Sequence, residues 1–258
     1  MGNLGGELVQ VGPARVLDMT MDGTIEAVVR LCAAPGSAVR TAYALHVGGI
    51  NLIAEHHAGY SAGLRAADAV YADGAAAVLL ARAGGAHRIE RAATTDIGIP
   101  VLTRLKSVLN RPVRVALVGG PPGLAERAGQ VLESRANAEV THTSDGFRRD
   151  DEVVAEELRR ADPDVVFVGM GVPTEVEWAE RMKSLLPATT LITCGGWFGF
   201  LVGDERRAPV ALRRLNLEWA HRLLLAPKRL YPRYVQGTWN TLRLLRGQLL
   251  ARRSTIGL

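Results

Sequence analysis

Six short apolar runs, at 14–17, 42–47, 69–72, 113–118, 165–168 and 190–193, each give way within two residues to aspartate or glycine, and longer amphipathic stretches separate most of them. Runs this short suit strands buried on both faces, which read as continuous apolar segments rather than as an alternating pattern. The stretches at 25–31, 52–66, 124–134, 151–160 and 175–186 carry helical spacing, and several start after Gly, Pro, Asp or Thr, as helices do. That rhythm predicts an α/β chain of Rossmann-like parallel sheets. A break at Asn110-Arg111-Pro112 divides it into two lobes, 1–110 and 111–205, ahead of a basic, amphipathic, helical C-terminal appendage at 206–258.

A chain of 258 residues with 48% hydrophobic content and 28 glycines can bury a substantial core. Cys32 and Cys194 stand far apart, with no CxxC spacing and no nearby histidine pair, so neither a metal site nor a disulfide framework is indicated and a reducing cytoplasm fits. No basic stretch leads into an apolar run at the N-terminus, and no later segment has the length of uncharged apolar sequence that a span requires, so neither secretion nor membrane spanning is expected. The formal net charge of +5 raises the question of nucleic acid, but aromatic content is only 5% and no nucleic-acid-binding signature is present. Nucleic acid is therefore not an expected partner.

The positive charge gathers at the C-terminus. From Trp219 to Leu258 every charged residue is basic: Arg222, Lys228, Arg229, Arg233, Arg243, Arg246, Arg252 and Arg253, interleaved with leucines, Tyr231, Tyr234 and Trp239. A solvated helix face can look like this. The leucines are too many for a free tail, however, and the cations too many for a buried helix. Such a segment suits the plane of anionic lipid headgroups, where each cation contributes on the order of 1 kcal/mol.

Ligands of parallel α/β sheets bind beyond the carboxyl ends of the strands, and four such ends are distinctive here. Gly119 and Gly120 follow the run at 113–118 and precede a helix, either as a phosphate cradle of backbone amides or as a plain tight turn. In the next, Val165-Val-Phe-Val-Gly-Met-Gly171 leads to Glu175, which either complements a helix dipole or accepts hydrogen bonds from a ribose or base. Gly195 and Gly196 leave the backbone open to a ligand after 190–193. At the fourth, Asp73-Gly74 closes the run at 69–72, with Asp73 placed either to cap the following helix or to act as a general base in a cleft.

These strand ends resemble the WecG/TagA/CpsF glycosyltransferases, glycosyltransferase family 26, and the resemblance runs from about Ala14 to Tyr234. Its most specific part is Gly195-Gly196-x-Phe198, Gly203, Arg207-Ala208-Pro209, Leu217-Glu218-Trp219, Arg222, Pro227, Arg229 and Arg233-Tyr234, in the order and spacing of the family's C-terminal signature. Ala72-Asp73-Gly74, Glu90-Arg91 with Asp96, Val118-Gly119-Gly120 and Gly169-x-Gly171-x-Pro173 agree with it. The resemblance implies an inverting, metal-independent transfer of a sugar, N-acetylmannosamine or a relative, from a UDP donor to a polyprenyl-diphosphate-linked saccharide in cell-surface polysaccharide synthesis. It implies Asp73 as catalytic base. Asn51, Arg91, Gly119, Gly120, Gly171, Glu175, Gly195 and Gly196 would then serve the donor, and Arg207, Arg222, Arg229 and Arg233 the acceptor and diphosphate. A peripheral place on the inner face of the membrane and a homo-oligomer are in keeping with it, and no cofactor is implied.

Three positions depart from the family pattern. The usual Thr-x-Asn is Gly49-Ile50-Asn51, the usual Pro-x-Gln-Glu is Pro173-Thr174-Glu175-Val176, and the usual Phe-Asp is Phe198-Gly199. They leave open a different donor, or a catalytically silent relative that binds a nucleotide sugar or lipid as a partner protein. A nucleotide-dependent oxidoreductase lacks its sequence sign, a GxGxxG opening an early βαβ unit.

Overall fold

The computed structural model describes residues 6–147, 150–205, 207–209, 212, 220, 223–224 and 227–256, with the side chains of 227–230, 232–233 and 251–256 outside the described set. Leu217-Glu218-Trp219 and Arg222 lie outside the described residues, as do the side chains of Arg229 and Arg233.

The chain forms an α/β layered fold around one sheet of eight strands. In chain order the strands are β1 (Glu7–Val11), β2 (Ala14–Asp18), β3 (Arg40–Leu45), β4 (Ala69–Ala72), β5 (Arg114–Gly119), β6 (Glu139–Ser144), β7 (Val165–Gly169) and β8 (Thr190–Thr193). Across the sheet they run β1-β2-β4-β3-β8-β7-β5-β6, parallel except for the hairpin of β1 with β2. The strands on either side of residue 110 each make a contiguous half, and the pairing of β3 with β8 joins the halves into one continuous sheet.

Alternate residues of the central strands fill opposite faces, as the pleat requires. Leu17, Ala44, Tyr71, Leu117, Phe167 and Ile192 meet α1 (Met21–Ala33), α5 (Thr94–Leu109), α6 (Leu124–Ala136) and α9 (Trp197–Leu201) on one face. Val16, Tyr43, Val70, Val118, Val168 and Leu191 meet α2 (Val47–Ala54), α3 (Ala58–Ala66), α4 (Ala75–Ala83), α7 (Asp151–Ala161) and α8 (Thr174–Met182) on the other. Because α2 leaves β3 towards one face and α9 leaves β8 towards the other, the neighbouring strands β3 and β8 open a crevice at their carboxyl ends. Their ladder runs only from Arg40↔Thr190 to Ala42↔Ile192; beyond it the Ala44 N–H turns to the Thr193 hydroxyl, 2.9 Å away.

Two differences from the sequence reading have clear causes. The helix expected over 52–66 is two helices, α2 and α3, parted where His56 takes a left-handed conformation (φ 57°). The terminal helix, here α10 (Pro227–Ile256), packs against α2 and α4. Its docked side combines small and polar positions, Gly237, where a Cβ would run into Val47, and the buried Asn240 and Thr241, with the half-buried Leu244 and Leu245, which pack against the core.

Candidate functional site

The crevice between β3 and β8 gathers most of the polar strand ends. Leu45 pairs with Ala72, and the next residue, Asp73, donates its backbone N–H to Leu45 O at 2.9 Å. Asp73 is therefore fixed at the lip of the crevice, half-buried. Helix α4 does begin at Ala75, but Gly74 occupies its N-cap position, so Asp73 stands one residue outside the capping place. Directly beside it, His46 caps α2, its Nδ1 accepting from Gly48 N–H at 3.0 Å. Below the lip, the buried Tyr71 hydroxyl bonds Thr94 Oγ1 (2.8 Å) and Thr193 O (3.3 Å), tying β4 to α5 and β8.

Two arginines meet on one side of Asp73. The backbone of Ala92 bonds Ala72 O (2.8 Å), which carries Arg91 alongside the Asp73 turn. Arg91 reaches Asp96 Oδ2 at 2.6 Å while Arg207 reaches Asp96 Oδ1 at 2.8 Å and both Thr95 O and Thr95 Oγ1 at 3.1 Å. The sequence assigned Arg91 to the donor and Arg207 to the acceptor; the structure puts both guanidiniums on one carboxylate, at the start of α5. Two guanidiniums on one carboxylate leave that cluster with a net positive charge, which suits phosphate oxygens. The segment leading into it is held by Asp18 at the end of β2, whose buried carboxylate accepts from the backbones of His87 (2.9 Å) and Arg88 (2.8 Å).

The amides of the glycine turns are less available than their sequence suggests. Gly119 (φ 143°) lets β5 run so close to β7 that a Cβ there would collide with Gly169 O, and Gly120 N–H then donates to the same carbonyl at 3.0 Å. The Gly120 amide is thus already taken by β7. The amides of Gly171 and Gly195 are taken too: each donates to Glu175 Oε2 at 3.0 Å. Glu175 is fully buried, and burial is the main reason its pKa rises to about 7; the two loop amides pull it down and the charge of Asp73 pushes it up. Its carboxyl binds the turn after β7 to the turn after β8, a tie that neither sequence alternative foresaw. Gly196 is the N-cap of α9.

Asn51 is buried on α2, and its Oδ1 accepts from Asn240 Nδ2 of α10 at 3.1 Å. The C-terminal helix is therefore linked to an element of the crevice wall. His46, Asp18 and Tyr71 were missed in the sequence because nothing in their local spacing marks them; only strand order brings them to one edge.

A family model described as "Glycosyl transferase WecG/TagA/CpsF family" matches residues 9–255. The N-acetylglucosaminyldiphosphoundecaprenol N-acetyl-beta-D-mannosaminyltransferase of Bacillus subtilis (strain 168) is 32% identical over 168 residues, 64% of this chain and 64% of that protein. A protein of the same name from Bacillus spizizenii is 30% identical over 171 residues, 66% of this chain and 65% of that protein. One from Staphylococcus aureus (strain NCTC 8325 / PS 47) is 29% identical over 177 residues, 67% of this chain and 68% of that protein. The matched stretch thus spans a little under two thirds of the length of the two Bacillus proteins. The family match over nearly the whole chain, on a sheet whose strand ends carry the matching motifs, places this chain in the WecG/TagA/CpsF glycosyl transferase family.

Proposed function

We propose that this chain transfers an N-acetylmannosamine-like sugar from a UDP donor, with inversion, to a polyprenyl-diphosphate-linked saccharide used in cell-surface polysaccharide synthesis. The observation that carries the reading is Asp73 fixed at the mouth of the β3–β8 crevice, with Arg91 and Arg207 gathered on Asp96 beside it. Asp73 takes the proton of the acceptor hydroxyl as that oxygen bonds the anomeric carbon. The bond from that carbon to the diphosphate breaks on the opposite face, and the arginines stabilise the negative charge that departs with UDP. The N-terminal half, 1–110, then serves acceptor and catalysis and shares with 111–205, the nucleotide-sugar side, the seating of the donor. The segment 206–258 serves attachment, with Arg222, Arg229 and Arg233 as further diphosphate partners.

For attachment we propose the anionic inner face of the cell membrane. No helix among the described residues is long and apolar enough to cross a bilayer. Supporting a surface contact, α10 exposes Tyr231, Val235, Trp239, Leu242, Leu249 and Leu250, which fall on one side of the helix at 100° per residue. Arg246 lies within the same arc.

One observation favours a silent nucleotide-sugar-binding relative instead: the amides of Gly120, Gly171 and Gly195 are already bonded within the chain. Acceptor-dependent UDP release separates the two. The full chain is incubated with UDP-N-acetylmannosamine and related UDP-sugars, with and without a polyprenyl-diphosphate-linked N-acetylglucosamine analogue. Release that needs the acceptor supports transfer; binding of a donor without turnover supports the silent relative.

A further inference from the structure

Two buried polar atoms in the wall of the crevice have no hydrogen-bond partner among the described residues: the Tyr60 hydroxyl and Glu175 Oε1. Both side chains are sealed from solvent, at 0% exposure. They belong to helices in close contact, since Gly59 of α3 lies against Glu177 of α8 and Gly63 lies against Val176. Tyr60, between those glycines, reaches to the first turn of α2. There the missing side chain of Gly49 leaves the space that the phenol oxygen fills, and any Cβ at 49 would run into it. The Glu175 charge is felt at the phenol, whose pKa is raised by burial first and by Glu175 second.

Buried hydroxyl and carboxyl oxygens are nearly always paired, because leaving one unpaired costs the full desolvation of that group. Two such atoms on facing elements beside Asp73 mark a place that a ligand completes. Their chemistry selects the ligand. A sugar hydroxyl accepts from the phenol and donates to Glu175 Oε1 with a single oxygen, and an acylamino N–H donates to the carboxyl in the same way. A phosphate has no such proton at neutral pH and would meet the charge of Asp73 and the partly ionised Glu175.

We infer that Tyr60, against the first turn of α2, and Glu175, in the first turn of α8, form a subsite for a hydroxyl or acylamino substituent of the transferred sugar, distinct from the arginine cluster that suits its diphosphate. The inference rests on the transferase reading and refines it. Entry takes a shift of the turn between β7 and α8, whose Gly171 amide the same carboxyl holds. The Gly49 gap and the Tyr60 hydroxyl act together, so both discriminate among donors.

The test compares UDP alone with UDP-N-acetylmannosamine and UDP-N-acetylglucosamine, by calorimetry on the full chain, in wild type, Tyr60→Phe and Glu175→Gln. Tyr60→Phe keeps the ring in the core, and Glu175→Gln keeps an oxygen for both loop amides. Expected are UDP affinities within about twofold of wild type and a roughly tenfold loss for the preferred UDP-sugar in each variant. Ligand-free Tyr60→Phe should also melt higher, by about 2–4 °C, because an unpaired buried hydroxyl has gone. Variants that bind the UDP-sugar as wild type does, or that lose UDP and UDP-sugar equally, overturn the subsite while leaving the transferase reading standing. A wild type that binds no UDP-sugar overturns both.

Discussion

Glu175 makes the stability of this protein depend on pH in the direction opposite to most carboxylates. Its pKa, about 7 in the folded chain against an ordinary value of 4.5, is raised chiefly by burial. Between those two values the folded chain keeps a proton that the unfolded chain has released. Stability therefore falls as pH rises through that window, and the penalty is complete above about pH 7. Glu175→Gln removes the titration but still accepts from Gly171 and Gly195. Thermal melts at pH 4 and pH 8 should show a variant that gains on wild type only at the higher pH, by on the order of 3 kcal/mol. A constant difference across the range would mean that Glu175 does not carry the shift. Asp96 is the second residue whose neighbours decide its effect. Asp96→Asn loosens Arg91 and Arg207 together, and the KM for a UDP-sugar should rise about tenfold. An unchanged KM would remove the arginine pair from donor binding.

Helix α10 carries apolar residues on two sides, Leu244 and Leu245 packed on the core and a second set turned to solvent. Its small and polar positions, Gly237, Asn240 and Thr241, face the protein, while Trp239 is 70% and Tyr231 62% exposed. A helix that only covered α2 and α4 would need no apolar residues beyond the inward pair, Leu244 and Leu245. Turning Tyr231, Val235, Trp239, Leu242, Leu249 and Leu250 outwards leaves an apolar stripe of the kind that marks an interaction surface. With the basic residues around it, that stripe suits an anionic bilayer. Vesicle flotation should show the full chain on phosphatidylglycerol-containing vesicles, less on zwitterionic ones and less in high salt. Trp239→Ala with Leu242→Ala should weaken that binding about tenfold, and circular dichroism should be unchanged because neither side chain is docked. Equal binding by the double variant would mean that another surface attaches. The sequence showed that this segment was amphipathic and basic. It did not show which side docks, because the signal lies in Gly237 fitting Val47 and Asn240 meeting Asn51, contacts made between distant parts of the chain.

At the scale of the whole molecule, the central strands were legible because a parallel strand covered on both faces must be apolar throughout: β4 and β8 have the bounds that their apolar runs gave. The edge strands β1 and β6 were not. Glu139–Ser144 reads EVTHTS, and a strand with one side towards solvent carries too few apolar residues to stand out. The site was legible as a set of strand ends, since Asp73, Gly120, Gly171 and Gly195 all follow parallel strands of one sheet. What escaped was which groups they bond. That Glu175 holds the Gly171 and Gly195 amides, and that Asp96 unites Arg91 with Arg207, follows from strand order, which local sequence does not encode. The continuous sheet places Asp73 of the first half beside the Glu175 tie of the second, so in the proposed mechanism acceptor activation and donor seating would share one crevice. The most direct test of that arrangement is Asp73→Asn, assayed for UDP release with the lipid-linked acceptor and, separately, for UDP-sugar binding. Retained donor affinity with turnover lowered by about 10²–10⁴-fold is the expected result for a lost general base. Turnover near that of the wild type would contradict the role of Asp73 and the mechanism built on it.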